Sequence, residues 1–206
     1  MKGRMPRFPL AYIPYLLLAA VVAAGALWRL GDLRAHRGTE TVTVAPVSVG
    51  GPFSLVDQNG MRRSDTEFRG KYMLVFFGYT YCPDVCPTTL AVMGAALDKM
   101  GTQADRVVPI FITVDPARDT PEVLKAYLSA FGPKFIGLTG KEDEVAAAAT
   151  AYRVYYQAHK EQGDNYAVDH SGVVYLMDKK GGFLANYSLD ASPERMAADL
   201  AKKTLN

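Results

Sequence analysis

An unbroken apolar run, YMLVFFGY, occupies residues 72–79 and ends three residues before Cys82. A segment that is apolar at every position, and not only at alternate positions, predicts a strand buried on both faces of a sheet. A second run of this kind, VVPIFITV, occupies residues 107–114 after a stretch of helical composition. Two such strands joined by a helix favour an α/β sheet covered by helices on both faces.

Turn and cap signals divide the rest of the chain into elements. The pair Asn59-Gly60 tolerates positive φ and predicts a tight hairpin between residues 53–56 and 61–64. Thr120 and Ser192 are each followed by proline and then glutamate, which is typical of a helix N-terminus. Further predicted elements are helices at 87–100, 142–152 and from Ser192 to about residue 204, a strand at 135–138, and a late hairpin with strands at 173–177 and 184–188.

This order of elements predicts the fold class. A βα unit with cysteines at the strand-to-helix junction, followed by a late ββα unit, is the order of a thioredoxin-like fold. The front hairpin lies outside that order. We therefore expect an α/β, thioredoxin-like domain with an N-terminal hairpin extension, preceded by one transmembrane helix.

The transmembrane expectation comes from residues 10–28, which include no charged side chain. As a helix these positions would be about 28 Å long, close to the hydrocarbon thickness of a bilayer. Three basic residues precede the run, and a small-residue stretch at 24–26 also permits a cleaved signal peptide. The predicted organisation is a tail at 1–9, an anchor at 10–28, a linker at 29–51 and a globular domain at 52–206.

Charge excludes one class of partner and leaves the membrane orientation open. The net charge is +2, and no basic stripe is interleaved with aromatic residues, so we expect no nucleic-acid binding. Basic residues are equally frequent on the two sides of the apolar run, with three on each side. The positive-inside rule therefore does not orient the predicted span.

Cys82 and Cys86 are the two cysteines of the chain, in the sequence CPDVC. Two neighbouring cysteines indicate a site and not a disulfide scaffold. At i and i+4 of a helix both sulfurs would share a face, so they can bind one ion or form a redox-active disulfide. The dipole of the helix N-terminus favours thiolate, and Asp84 opposes it. Structural zinc would require two further ligands.

The three histidines differ in their surroundings. His36 lies in the predicted linker and His159 in a polar stretch, and we expect both to be solvated. His170 directly precedes an apolar strand, where its position alone favours a structural role. Acidic residues near the strand ends are expected to cap helices or turns: Asp84, Asp115 and Asp119.

Three motifs in order change the interpretation of His170. They are GYTYCPDVCP at 78–87, VDPARDTP at 114–121 and DHS at 169–171. With them the chain resembles the SCO/SenC family, the thioredoxin-fold copper proteins that serve cytochrome c oxidase assembly, from about residue 53 to the C-terminus. The resemblance implies that Cys82, Cys86 and His170 bind copper, as Cu(I) or Cu(II). It also implies a domain facing the periplasm from the inner membrane, or the intermembrane space in a eukaryote.

The resemblance, together with the three candidate ligands, implies a copper metallochaperone and leaves two alternatives. The expected partners are the copper-bearing subunit of cytochrome c oxidase, with its dinuclear copper site, and other copper carriers. The first alternative is a thiol–disulfide oxidoreductase acting on the same target cysteines, and the second is a peroxide-reducing or redox-sensing protein. Thiol chemistry does not require His170, whereas copper binding does, so the balance favours a carrier over an enzyme.

Overall fold

The computed structural model describes residues 13–35, 48–163 and 165–205. The chain divides into two compact units, Met1–Pro46 and Val47–Asn206. In the first unit, helix α1 spans Ile13–Ala35. Its side chains from 17 to 30 are exposed.

Helix α1 extends beyond the C-terminal end of the predicted anchor. It continues past Trp28 to Ala35, through residues that the sequence places in the linker. Leucine, arginine and alanine there favour a helix, and they outnumber Gly31 and Asp32, which do not. Among the helices within the described ranges, none has the length and apolar character needed to cross a membrane. The predicted tail at 1–9, the start of the anchor, and residues 36–47 with His36 lie outside the described residues.

The second unit alternates strands and helices as the sequence predicts. Its strands are β1 (Ser54–Asp57), β2 (Arg62–Ser64), β3 (Tyr72–Gly78), β4 (Val107–Thr113), β5 (Ile136–Thr139), β6 (Tyr156–Ala158), β7 (Val168–His170), β8 (Val173–Met177) and β9 (Phe183–Ser188). Its α-helices are α2 (Val85–Met100), α3 (Pro121–Leu128), α4 (Glu142–Ala151) and α5 (Pro193–Lys203). Short 3-10 helices occupy Asp65–Phe68, Gly101–Arg106, Ser129–Phe131 and Lys160–Gln162.

Seven of these strands form one mixed sheet in the order β2-β1-β5-β4-β3-β8-β9. Strands β3, β4 and β5 are parallel to one another, and the other neighbouring pairs are antiparallel. All seven residues of β3 are buried, as expected for a central strand covered on both faces. Helices α2 and α5 pack together, and α3 packs against β5. The predicted α/β architecture is confirmed.

The predicted front hairpin turn and the two predicted helix caps are also confirmed. The front hairpin turns at Asn59 and Gly60, where Gly60 has φ of 79°. The hydroxyl of Thr120 accepts a hydrogen bond from the backbone N–H of Val123, and Ser192 caps α5 in the same way. Strands β6 and β7 were not predicted. Each has three residues, too few for a visible alternation, and they form a separate two-stranded sheet.

Candidate metal centre

The cysteines lie where the central strand β3 passes into α2. Helix α2 begins at Val85, so Cys86 lies in its first turn and Cys82 in the preceding loop. The expectation that both cysteines share a helix face is therefore wrong, because the helix starts only after Cys82. The two sulfurs nonetheless lie within 4.8 Å of each other, and the Cys86 backbone N–H donates to Cys82 Sγ at 3.4 Å. Both are free thiols; Cys86 is fully buried and Cys82 half-buried.

His170 reaches the cysteines from the end of β7. Its Nε2 lies 3.4 Å from Cys86 Sγ, although the two residues are 84 positions apart. Its Nδ1 lies 3.2 Å from the carbonyl oxygen of Ser171. Because a carbonyl oxygen can only accept a hydrogen bond, Nδ1 carries the proton and donates. A neutral ring with its proton at Nδ1 directs the Nε2 lone pair to the sulfurs. One ligand atom from each of Cys82, Cys86 and His170 lies within 4.8 Å of the other two.

Burial sets the protonation of this group in the metal-free protein. Desolvation lowers the pKa of His170, so the imidazole is neutral at pH 7 and ready to bind a cation. Desolvation also raises the pKa of the Cys86 thiol far above its usual range. A metal ion that binds Cys86 as thiolate must therefore displace a proton to solvent.

Aromatic rings pack beside His170, and a glycine lies against Cys86. The rings of Phe76 and Tyr79 meet the His170 ring edge-on, with centroids 6.0 and 5.9 Å away. A Cβ at Gly78 would lie 2.8 Å from Cys86 Sγ and 2.9 Å from the Phe111 ring. The absence of a side chain at Gly78 therefore makes room for the sulfur.

Asp119 holds the loop before Cys82. Its carboxylate accepts hydrogen bonds from the Thr80 N–H at 3.0 Å, the Thr80 hydroxyl at 2.6 Å and the Thr113 hydroxyl at 2.6 Å. Asp119 is fully buried, and desolvation raises its pKa. It joins the end of β4 to the cysteine loop and caps no helix. The capping role predicted for it is wrong, because the cap of α3 is Thr120.

Two other acidic residues also differ from the expectation. Asp84 makes no side-chain cap to α2, and its carboxylate instead accepts from the Thr88 hydroxyl at 3.3 Å. Asp115 is buried and bonds to Arg118 and, at 2.6 Å, to the Tyr166 hydroxyl. The motif at 114–121 signals Asp115, Arg118 and Asp119, but nothing in the sequence pairs them with Tyr166.

His159 is neither at the metal-ligand group nor simply solvated. Its Nε2 lies 2.8 Å from the Asp169 carboxylate and its Nδ1 lies 3.2 Å from Glu161. The hydrogen bond with Asp169, with a smaller contribution from Glu161, raises the pKa of His159. These contacts lie within the β6–β7 hairpin, so His159 ties that hairpin together.

The three ligand atoms suit a soft ion. Thiolates favour Cu(I), and imidazole binds copper in either oxidation state. Three ligands from one chain leave a position open to a further donor. The donor set is therefore consistent with copper and lacks the four-ligand shell of a structural zinc site among the described residues.

Comparisons with known proteins agree with this chemistry. The family model described as SCO1/SenC matches residues 42–205. Protein SenC of Rhodobacter capsulatus is 45% identical over 153 residues, covering 74% of this chain and 69% of SenC. The structure of Bradyrhizobium japonicum ScoI with copper bound is 47% identical, covers 76% of this chain and 99% of that chain, and has a TM-score of 0.71.

A more distant solved structure adds a redox feature. BsSco, described with a disulfide switch and as a member of the Sco family of cytochrome c oxidase assembly proteins, is 25% identical. It covers 77% of this chain and 95% of its own, with a TM-score of 0.63. These neighbours confirm the expected thioredoxin-like fold.

Proposed function

Because the chain belongs to the SCO1/SenC family, we propose that it binds one copper ion as cargo through Cys82, Cys86 and His170. The observation that carries the proposal is the convergence of two sulfurs and one imidazole nitrogen within 4.8 Å. The buried neutral imidazole supplies a lone pair without first losing a proton. The half-buried Cys82 places one ligand at the surface, where an incoming acceptor can reach the ion.

The cargo is delivered to the dinuclear copper site of cytochrome c oxidase. The description of BsSco as a cytochrome c oxidase assembly protein supports this destination. The partners are then the copper-bearing subunit of the oxidase and the carriers that load this protein. Three protein ligands support transfer because a fourth coordination position on the ion can accept a ligand from the partner. The partner can therefore bind the ion before the three original ligands dissociate.

Residues 10–28 anchor the protein in the inner membrane, with the second unit in the periplasm. The support is the uncharged run in the sequence together with the family resemblance. The mass of the protein extracted from membranes tests the anchor. A mature chain that begins near Leu27 would show that the run is a cleaved signal peptide.

Thiol–disulfide exchange on the same target cysteines is a second candidate function. The Cys86 N–H contact to Cys82 Sγ brings two free thiols together, and Cys82 is accessible from solvent. The raised pKa of the Cys86 thiol argues against it as the attacking group, which leaves Cys82 as the nucleophile. This reaction does not require His170 as a ligand.

One titration distinguishes the two functions. The reduced full chain should bind one copper ion, and Cu(II) should give thiolate-to-copper charge-transfer absorption in the visible. Cys86→Ala should lose the band, and His170→Ala should weaken binding while disulfide formation in a thiol/disulfide redox buffer persists. His159→Ala is the control and should keep the stoichiometry. If His170→Ala binds Cu(II) as tightly as the wild type with an unchanged spectrum, the carrier proposal fails.

A further inference from the structure

Arg118 lies between the two segments that carry the ligand side chains. Its guanidinium carbon is 3.6 Å from the centroid of the Tyr166 ring and 4.7 Å from that of the Tyr81 ring. Tyr81 directly precedes Cys82, and Tyr166 lies two residues before β7, the strand that ends at His170. One guanidinium group therefore contacts an aromatic ring on each side of the candidate site.

A buried carboxylate fixes this arrangement. Arg118 Nε donates to Asp115, whose other oxygen accepts from the Tyr166 hydroxyl at 2.6 Å. The Arg118 and Asp115 side chains are only 14% and 3% exposed, so each charge depends on the other for compensation. Burial and the hydrogen bond to Asp115 raise the pKa of Tyr166 to about 12, which keeps the hydroxyl protonated as a donor.

The hairpin that carries His170 is attached to the rest of the domain by apolar packing and by polar contacts. Its Tyr166 and Val168 side chains are buried, and the His170 ring packs against Phe76 and Tyr79. Strands β6 and β7 pair with each other and are not part of the seven-stranded sheet. The ion pair of Lys160 with Glu142, at 3.1 Å, joins the hairpin to α4, but both side chains are more than half exposed. Exposed ion pairs contribute little. Among the polar contacts, those of Arg118, Asp115 and Tyr166 are buried and therefore form a stronger attachment than the Lys160–Glu142 pair.

We propose that Arg118 is a positioning residue that holds the β6–β7 hairpin against the cysteine loop and so sets the rate at which bound copper is released. This proposal rests on the proposed copper-carrier function. With the hairpin docked, His170 Nε2 stays near Cys86 Sγ, at 3.4 Å. When the hairpin detaches, the ion keeps only its two sulfur ligands and is open to an acceptor.

Copper release from the reduced full chain to an excess of a coloured Cu(I) chelator tests the proposal. Arg118→Gln removes the charge, and we expect release to accelerate about ten-fold because the cation–π contacts and the buried ion pair are both lost. Arg118→Lys keeps the charge but not the planar stacking, and should give a smaller acceleration. The control is Arg63→Gln, which breaks an ion pair with the buried Asp57 in the front hairpin and should release copper at the wild-type rate.

Hydrogen exchange of the metal-free protein provides a readout that does not depend on copper. Arg118→Gln should speed exchange in residues 156–170 and leave β3 and β4 as protected as in the wild type. An unchanged release rate together with unchanged hairpin exchange would overturn the proposal. An equal loss of protection throughout the domain would do so as well, because it would show a general structural role.

Two other experimental results also bear on the role of Arg118. If Arg118→Gln does not fold, Tyr81→Leu removes the half-exposed ring and leaves the Arg118–Asp115 pair in place, and the same two measurements apply to it. If the wild type binds no copper, the carrier function fails. Hairpin exchange in the metal-free variants then still decides whether Arg118 holds the hairpin.

Discussion

The cysteine segment and the histidine hairpin supply ligands to one site but differ in how they are supported. The cysteines follow β3, whose seven residues are all buried, and the loop between is bonded to the buried Asp119. His170 ends a three-residue strand, and the strand that pairs with it has three residues as well. A two-stranded hairpin has little stability of its own. The sulfur pair thus directly follows the central strand of the large sheet, while the imidazole is carried by a separate two-stranded sheet.

This difference has a consequence for metal transfer. Local opening costs least in elements with few buried contacts and exposed backbone hydrogen bonds. The hairpin fits that description in part: Gln157 and Asp169 are exposed on neighbouring strands, whereas Tyr166 and Val168 are buried. Detaching it would remove one ligand and leave the folded core and both sulfurs in place. A carrier built this way can loosen its cargo without unfolding.

The largest expected effect comes from the core behind the cysteines. Phe111 is fully buried, with its ring centroid 6.1 Å from that of Phe76 and 6.0 Å from that of Tyr127. Phe111→Ala should lower the free energy of unfolding by about 3–5 kcal/mol, measured by urea denaturation. Tyr155→Ala, beside the hairpin and 62% exposed, should change it by less than about 0.5 kcal/mol. Similar losses in the two variants would contradict the contrast between the regions.

A smaller effect is expected from crowding the sulfur. In Gly78→Ala the new Cβ would lie 2.8 Å from Cys86 Sγ, closer than packed atoms allow. We expect the free energy of unfolding to fall by about 1–3 kcal/mol and the copper absorption spectrum to shift as Cys86 moves. Part of this loss should disappear when Gly78→Ala is made in a Cys86→Ala background. Strict additivity of the two changes would show that the sulfur is not the atom being displaced.

The smallest effect concerns the hairpin and pH. The hydrogen bonds with Asp169 and, secondarily, Glu161 raise the pKa of His159 above 6.5, so protonation favours the folded hairpin. This stabilisation is fully present below pH 6.5 and is lost as pH rises through the higher folded-state pKa. Hydrogen-exchange protection of residues 156–170, corrected for intrinsic rates, should fall between pH 6 and pH 8. His159→Gln should flatten the profile, and a profile equal to that of the wild type would refute the role of His159.

Local patterns were sufficient for the elements other than β6 and β7 and for two of the three ligand residues. The apolar run at 72–79 predicted the buried strand, and the Asn59-Gly60 turn predicted the front hairpin. The CPDVC spacing predicted that two sulfurs approach each other, although α2 begins too late to carry both. His170 was found only through the family motifs, because a lone histidine before a strand has no local pattern that marks a ligand.

The sequence by itself determined the α/β order, the helix caps and the chemistry available at the cysteines, because these depend on propensities and spacings over a few residues. The tertiary structure alone decided that His170 meets Cys86 across 84 positions, that Asp119 holds Thr80, and that Arg118 lies between Tyr81 and Tyr166. Each of these contacts joins loops that are far apart in the chain. Which loops meet is set by strand order in the sheet and by how the side chains pack, and no short stretch of sequence encodes either.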